Sequence, residues 1–152
     1  MSEMENANEL PSEILVDASV FFSYLVSDEL VSHSERLLDK ADSGLLKLRT
    51  ASEIYDDIVT ALRSDNVAID LVIELLTDLK KLPHEVLPTT LDIAIEAMKL
   101  YSQYGGSRRL HYFDSFHVAT AKLNELPFVT SDRYLLKNST KLGIVSLDLR
   151  KI

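Results

Sequence analysis

Short apolar runs alternate with longer stretches of helical periodicity, and this alternation predicts the secondary structure of the chain. The short runs predict buried strands, at residues 14–16, 45–49, 84–87, 126–130 and 142–147. Stretches in which apolar residues recur every three or four positions predict helices. These stretches cover residues 19–26, 32–40, 50–62, 66–79, 89–104, 113–123 and 132–137.

Strands that alternate with helices predict an α/β fold. We expect a single domain with a parallel sheet of about five strands and with helices on both faces. Residues 1–13 are polar and aperiodic, and we expect them to form a flexible N-terminal arm before a folded domain at 14–152. The Gly105-Gly106-Ser107 sequence predicts a flexible joint between two helices.

The predicted helix at 89–104 carries a pronounced apolar stripe. Its members are Leu91, Ala94, Ile95, Met98 and Tyr101. We interpret most of this stripe as a face that packs against the protein's own sheet. The alternative is that the helices between residues 66 and 104 dock a partner helix or a second copy of the chain.

The composition is that of an ordinary globular domain. The chain has 152 residues, of which 46% are hydrophobic and 26% are charged. The absence of cysteine excludes a disulfide scaffold, a thiolate zinc site and a cysteine nucleophile. No apolar run approaches the ~20 residues of a membrane helix, and the first residues do not resemble a secretory signal. We therefore expect a cytoplasmic protein that does not associate with membranes.

The net charge of −8 argues against a protein that coats nucleic acid without sequence preference. Four of the 24 acidic residues lie in the predicted arm, at Glu3, Glu5, Glu9 and Glu13. An acidic total still permits an enzyme that meets phosphate groups through a bound metal ion.

Four acidic residues lie where predicted strands end or the next helices begin: Asp17, Glu53, Asp114 and Asp132. Because ligands of an open parallel sheet bind beyond the carboxyl ends of its strands, these carboxylates could meet at one edge. Carboxylates packed together repel one another, and Mg²⁺ or Mn²⁺ among them would remove the repulsion. The alternative for each acid is a helix cap, a common role for Asp and Glu at helix starts.

Four segments resemble the motifs of the PIN domain family, in the family's order. They are Ile14-Leu15-Val16-Asp17-Ala18-Ser19, Thr50-Ala51-Ser52-Glu53-Ile54, Tyr112-Phe113-Asp114-Ser115-Phe116-His117-Val118-Ala119-Thr120-Ala121 and Phe128-Val129-Thr130-Ser131-Asp132. The resemblance covers residues 14 to about 147 and is closest to the VapC-like toxin ribonucleases. It implies a five-stranded parallel sheet with helices on both sides, in agreement with the pattern of apolar residues.

The resemblance also implies a catalytic metal site made of Asp17, Glu53, Asp114 and Asp132. Ser19 and Thr130 match the small hydroxyl residues of the first and last motifs, and they would orient the ligands or a water molecule. Asp57 lies one turn after Glu53 on the same helix face and could share or replace its role. His117 lies one turn after Asp114, and we interpret it as a buried structural residue.

The function implied by the resemblance is a metal-dependent endoribonuclease that hydrolyses RNA phosphodiester bonds with Mg²⁺ or Mn²⁺. Arg108, Arg109 and Arg133 are candidates to bind flanking phosphates, although each could be an ordinary surface charge. The VapC-like subgroup further implies a homodimer that acts as the toxin of a toxin–antitoxin pair and is restrained by an antitoxin protein. Two alternatives stay open: a PIN-fold scaffold without catalysis, and a housekeeping nuclease that processes RNA.

Overall fold

The computed structural model describes residues 10–152, so most of the predicted arm lies outside the described residues. The strands are β1 (Glu13–Val16), β2 (Lys47–Ala51), β3 (Glu85–Leu87), β4 (Phe128–Thr130) and β5 (Ser146–Asp148). The helices are α1 (Ala18–Val26), α2 (Val31–Asp42), α3 (Ile54–Ser64), α4 (Ile69–Leu79), α5 (Leu91–Tyr104), α6 (Tyr112–Leu123), α7 (Arg133–Lys137) and α8 (Ser139–Leu142). A 3₁₀ turn, Leu149–Lys151, follows β5.

The five strands form one parallel sheet in the order β3-β2-β1-β4-β5. β1 is central, and its Leu15 pairs with Arg49 of β2 on one side and with Phe128 of β4 on the other. The chain leaves β1 in one direction along the sheet and later returns to the opposite side through β4. In α/β sheets such a switch point opens a crevice at the carboxyl ends of the strands.

Alternation along β1 divides the core into two layers. Ile14 and Val16 pack with residues of α1 to α4, such as Phe21, whereas Leu15 packs with residues of α5 and α6, such as Val118. All these side chains are buried. Both faces of the sheet are therefore covered by helices, and the predicted α/β fold with a five-stranded parallel sheet is confirmed.

The strand boundaries differ from the predicted ones by a few residues. The second strand begins at Lys47 and not at Leu45, whose side chain is exposed. Much of the predicted fifth strand is instead the end of α8 and a turn, where Gly143 adopts a φ of +78°. Apolar residues such as Leu142 fill the core from this helix and not from a strand, so the apolar run alone did not distinguish the two.

The interpretation of the apolar stripe on the helix at 89–104 was wrong. The buried side chains of α5 are those of Ile93, Ala97 and Leu100. The large apolar residues of the predicted stripe are exposed, at 77% for Leu91, 47% for Ile95, 40% for Met98 and 39% for Tyr101. We call these four side chains the α5 face. No helix in residues 10–152 is both long and apolar enough to cross a membrane.

Candidate metal centre

Asp17 is the first residue after the central strand, and its carboxylate is held on both oxygens. It is the N-cap of α1, and Oδ1 accepts hydrogen bonds from the Ser19 N–H at 3.0 Å and from the Ser19 hydroxyl. Oδ2 accepts a hydrogen bond from Thr130 Oγ1 at 2.5 Å. Asp17 is only 4% exposed. The cap predicted as an alternative role is therefore formed, and the same carboxylate is fixed beside the end of β4.

Thr130, the last residue of β4, links the end of β4 to the end of the central strand β1. Its hydroxyl donates to Asp17 and accepts a hydrogen bond from the Asp132 N–H at 3.0 Å. Asp132 in turn caps α7, where its Oδ1 accepts from the Leu135 N–H at 3.1 Å. The Ser131 N–H donates to Ser19 Oγ at 3.3 Å. One network of hydrogen bonds thus contains both predicted hydroxyl residues, Ser19 and Thr130.

Asp114 approaches this network from the first turn of α6. Its Oδ2 accepts a hydrogen bond from the His111 N–H at 3.2 Å and lies 3.3 Å from His111 Nδ1. Its side chain is 13% exposed. His111, Asp114 and Asp132 each offer one potential ligand atom, and these atoms all lie within 4.8 Å of one another. We call Asp17, Asp114 and Asp132 the acidic centre.

The electrostatics of the acidic centre disfavour its full ionisation. Burial, and then the neighbouring charge of Asp17, raise the pKa of Asp114 from 3.8 to about 7. Burial also raises the pKa of Asp17, although hydrogen bonds from Ser19 and Thr130 oppose the increase. A divalent cation would supply the compensating positive charge, and carboxylate oxygens are the ligands that Mg²⁺ and Mn²⁺ prefer. The residues present therefore fit such an ion.

Glu53 lies at the same edge, immediately before α3, but its hydrogen bonds lead towards β3. The hydroxyl of Thr89, which follows β3, donates to Oε2 at 2.6 Å and also contacts Oε1. Glu53 makes no side-chain cap bond to α3, so the capping role considered as the alternative is not formed. Thr89 was not among the predicted site residues, because its contact with Glu53 spans 36 residues of chain.

Asp57, predicted to share or replace the role of Glu53, instead contacts α6. Its Oδ2 lies 2.7 Å from Nε2 of His117, which is fully buried. Burial alone would lower the pKa of His117, but the hydrogen bond and charge of Asp57 outweigh it and raise that pKa. The charges of Asp17 and Asp114 act in the same direction. His117 is thus a core residue, as expected, and it also lies next to the acidic centre.

The three candidate phosphate-binding arginines are exposed around the N-termini of α6 and α7. Arg133 is the first residue of α7 and directly follows Asp132. Arg108 and Arg109 lie in the segment between α5 and α6, where Arg108 adopts a φ of +61°. This segment is anchored by Leu110, which is buried and pairs with Gly105. The predicted flexible joint is therefore a short folded turn in which both arginine side chains face solvent.

The fold and the acidic centre place the chain in a recognised family. The PIN domain family model matches residues 14–140, so the chain belongs to the PIN domain family. The resemblance deduced from the four motifs is confirmed.

Solved structures share this fold at low sequence identity. VapBC2 from Rickettsia felis, bound to a DNA fragment from its promoter, has a TM-score of 0.65 at 10% identity and covers 90% of this chain and 98% of that one. VapBC-5, a toxin–antitoxin system of Mycobacterium tuberculosis, has a TM-score of 0.60 at 18% identity, with 91% and 99% covered. A toxin–antitoxin complex from Klebsiella pneumoniae has a TM-score of 0.54 at 17% identity, with 87% and 95% covered. Among curated proteins, none matches the sequence significantly.

Proposed function

We propose that the protein is a metal-dependent endoribonuclease that hydrolyses RNA phosphodiester bonds. The observation that carries this proposal is the gathering of buried carboxylates at one sheet edge, where Thr130 links Asp17 to Asp132 and ligand atoms of Asp114 and Asp132 lie within 4.8 Å of each other. Burial, and then the charge of Asp17, raise the pKa of Asp114 to about 7. Such an arrangement is unfavourable in an empty site and favourable around a cation. Membership of the PIN domain family supports nuclease chemistry at this position.

In the proposed site Asp17, Asp114 and Asp132 hold Mg²⁺ or Mn²⁺. A bound ion of this kind neutralises phosphate charge and lowers the pKa of a water molecule, so no nucleophilic side chain is needed. Thr130 and Ser19 fix the Asp17 carboxylate through their hydroxyl groups. This second layer of hydrogen bonds keeps the ligand oriented before the ion binds.

Glu53 is proposed as a further ligand or as the base that orients the attacking water. Its carboxylate accepts a hydrogen bond from Thr89 on the β3 side of the same sheet edge, and it is not one of the residues whose ligand atoms lie within 4.8 Å of one another. Asp57 has a different part: it holds His117 at 2.7 Å and thereby joins α3 to α6 beside the acidic centre. Arg108, Arg109 and Arg133 are proposed to bind RNA phosphates on either side of the cleaved bond.

We further propose that the protein acts in the cytoplasm as the toxin of a toxin–antitoxin pair. Proteins with the same fold are described as parts of VapBC and other toxin–antitoxin complexes, which supports an antitoxin as partner. We also propose a homodimer that forms through the α5 face. Its exposed residues Leu91, Ile95 and Met98 follow one another at helical spacing, and a two-fold contact would use this patch on both subunits.

The decisive experiment compares Asp17→Asn with Asp148→Asn. Both residues stand at the carboxyl end of a strand and cap the next helical turn, and asparagine can cap as well as aspartate. Asp148 pairs with Arg150 and lies beside Thr130 in the sheet, but its carboxylate is not one of the three that form the acidic centre. The comparison therefore isolates the carboxylate of Asp17 from the general effect of an Asp→Asn change at this edge. We expect Mn²⁺ to raise the melting temperature of the wild type and of Asp148→Asn, and both to cleave RNA.

Asp17→Asn is expected to lose both the Mn²⁺-dependent rise in melting temperature and the cleavage. Cleavage by Asp17→Asn at the wild-type rate would contradict the proposal. A wild type that neither gains stability from Mn²⁺ or Mg²⁺ nor cleaves RNA would favour a PIN-fold binding protein without catalysis. The natural RNA target, identified by mapping cleavage sites in total RNA, would separate a toxin from a housekeeping nuclease.

A further inference from the structure

His111 occupies a fixed position at the entrance to the acidic centre. It is the N-cap of α6 and directly follows Leu110, which is completely buried. Its N–H donates to Oδ2 of Asp114 at 3.2 Å, and its Nδ1 lies 3.3 Å from the same oxygen. The main chain at His111 is therefore anchored by Leu110 before it and by the Ser115 N–H, which donates to the His111 carbonyl within α6, after it. The side chain itself is 61% exposed.

The imidazole lies within the reach of a metal ion held by the two nearest carboxylates. A ring nitrogen of His111, a carboxylate oxygen of Asp114 and a carboxylate oxygen of Asp132 all lie within 4.8 Å of one another. Two ligands on opposite sides of one small octahedral ion are roughly 4.2 Å apart, from ligand distances of about 2.1 Å. The three atoms thus need only small side-chain movements to bind a single ion.

A neutral imidazole also suits the charge of this site better than another acid would. Asp17, Asp114 and Asp132 already supply three carboxylates, and Asp17 and Asp132 both disfavour ionisation of Asp114. A histidine adds a ligand without adding negative charge. The nitrogen changes the metal preference too, since imidazole suits later first-row ions such as Co²⁺, whereas oxygen-only sites suit Mg²⁺.

We propose that His111 is a ligand of the metal ion at Asp114 and Asp132, so that the centre is a mixed nitrogen–oxygen site that favours later first-row ions such as Co²⁺ over Mg²⁺. This inference rests on the proposed metal-dependent function, because it assigns one more ligand to the same site. It concerns which ion is held, and it is tested by binding and spectroscopy in the absence of RNA.

The test uses His111→Asn and, as a control, His33→Asn. Asparagine is a favoured N-cap residue and keeps the backbone N–H that Asp114 accepts from, so α6 is expected to form normally. His33 contacts the C-terminal Ile152 and lies in α2, away from the acidic centre. A second variant, His111→Asp, replaces the nitrogen ligand by a carboxylate.

We expect spin-echo spectra of bound Mn²⁺ to show coupling to a directly bound ¹⁴N nucleus in the wild type and in His33→Asn, but not in His111→Asn. We expect the affinity for Co²⁺ to fall at least about tenfold in His111→Asn, while that for Mg²⁺ changes less than about threefold. His111→Asp is expected to shift the preference towards Mg²⁺.

Nitrogen coupling that persists in His111→Asn would overturn the assignment of His111, as would an equal loss of affinity for Co²⁺ and Mg²⁺. If His111→Asn binds Mn²⁺ and Co²⁺ as the wild type does, this inference fails and the proposed nuclease stands. If the wild type binds no divalent ion, the proposed function fails as well.

Discussion

The acidic centre and the α5 face are both unfavourable in the isolated chain, for opposite reasons. In the acidic centre, ionisable groups are withdrawn from water and the pKa of Asp114 rises to about 7. On the α5 face, large apolar side chains are left in water, with Leu91 77% exposed. In the first region the positive charge of His117 only partly offsets the burial of the acids, and in the second the apolar side chains are left exposed within residues 10–152.

The two regions differ in how firmly the fold holds them. Asp17 accepts hydrogen bonds from Ser19 in the first turn of α1 and from Thr130 at the end of β4, so its position is fixed whether or not an ion is bound. The side chains of the α5 face project from a helix that is already anchored by Ile93, Ala97 and Leu100. Altering the acidic centre should therefore change folding and function together, whereas altering the α5 face should change association alone.

The largest expected effect on folding is a pH dependence that comes from Asp114. The ordinary pKa of an aspartate is 3.8, and that of Asp114 is about 7 in the folded protein, so between these values the folded state keeps a proton that the unfolded state has lost. The free energy of unfolding of the metal-free protein should then fall, by a few kcal/mol, as the pH rises from about 4 to 7. Urea unfolding with a chelator present measures it.

Asp114→Asn removes one of the two buried carboxyl groups whose pKa is raised, so its stability should fall less than that of the wild type over the same pH range, and the remaining fall comes from Asp17. The raised pKa of His117 also removes stability with rising pH, but only above the ordinary histidine value of 6.5, and it is retained in this variant. Adding Mn²⁺ to the wild type should flatten its pH profile by favouring the ionised carboxylate. Parallel pH profiles for the wild type and Asp114→Asn would show that Asp114 ionises normally.

A smaller effect is expected from Thr130→Val, which leaves the acids in place and removes the hydroxyl between them. Asp17 loses a donor and the Asp132 N–H loses its acceptor. We expect a loss of about 1–3 kcal/mol in the free energy of unfolding and about 10–100-fold in metal affinity. Unfolding by urea and titration with Mn²⁺ measure the two quantities.

Thr120→Val is the matched control for Thr130→Val. Thr120 is equally buried, and its hydroxyl donates only to the Phe116 carbonyl within α6, at 2.7 Å. Thr120→Val should leave metal affinity unchanged. Equal losses of metal affinity in the two valine variants would mean that Thr130 acts through packing and not by orienting Asp17.

The sequence predicted that Asp17, Glu53, Asp114 and Asp132 would lie at one edge of the sheet, and local pattern is what made this prediction possible. Asp17 ends an apolar run and Asp132 follows the run that forms β4, so a parallel sheet brings both to the same edge. The contacts of Glu53 with Thr89 and of Asp57 with His117 could not be predicted in this way. They join residues 36 and 60 positions apart, and their existence depends on how α3 and α6 are placed.

The orientation of α5 was not predictable for a related reason. The helix has two apolar faces, one with Ile93, Ala97 and Leu100 and one with Leu91, Ile95 and Met98. Periodicity identifies both faces and does not rank them. Packing of α5 against α6 decides which of the two faces is buried. The two helices are also joined by an ion pair between Glu96 of α5 and Lys122 of α6, whose Oε1 and Nζ atoms are 2.7 Å apart.

The smallest expected effect on folding is at Ile95, and a neighbour on the same helix provides the comparison. Ile93 is 3% exposed and Ile95 is 47% exposed. Ile93→Ala should cost about 2–5 kcal/mol in the free energy of unfolding. Ile95→Ala should change it by no more than about 0.5 kcal/mol when measured on dilute, monomeric protein.

The same pair of variants separates folding from association. If a second copy covers the α5 face, Ile95→Ala should raise the dissociation constant of the dimer, measured by sedimentation, although it leaves the monomer as stable as the wild type. The apolar surface that Ile95 exposes would then be stabilising only in the assembly. A large loss of monomer stability in Ile95→Ala would show that this face is packed within the chain, and the contrast with the acidic centre would disappear.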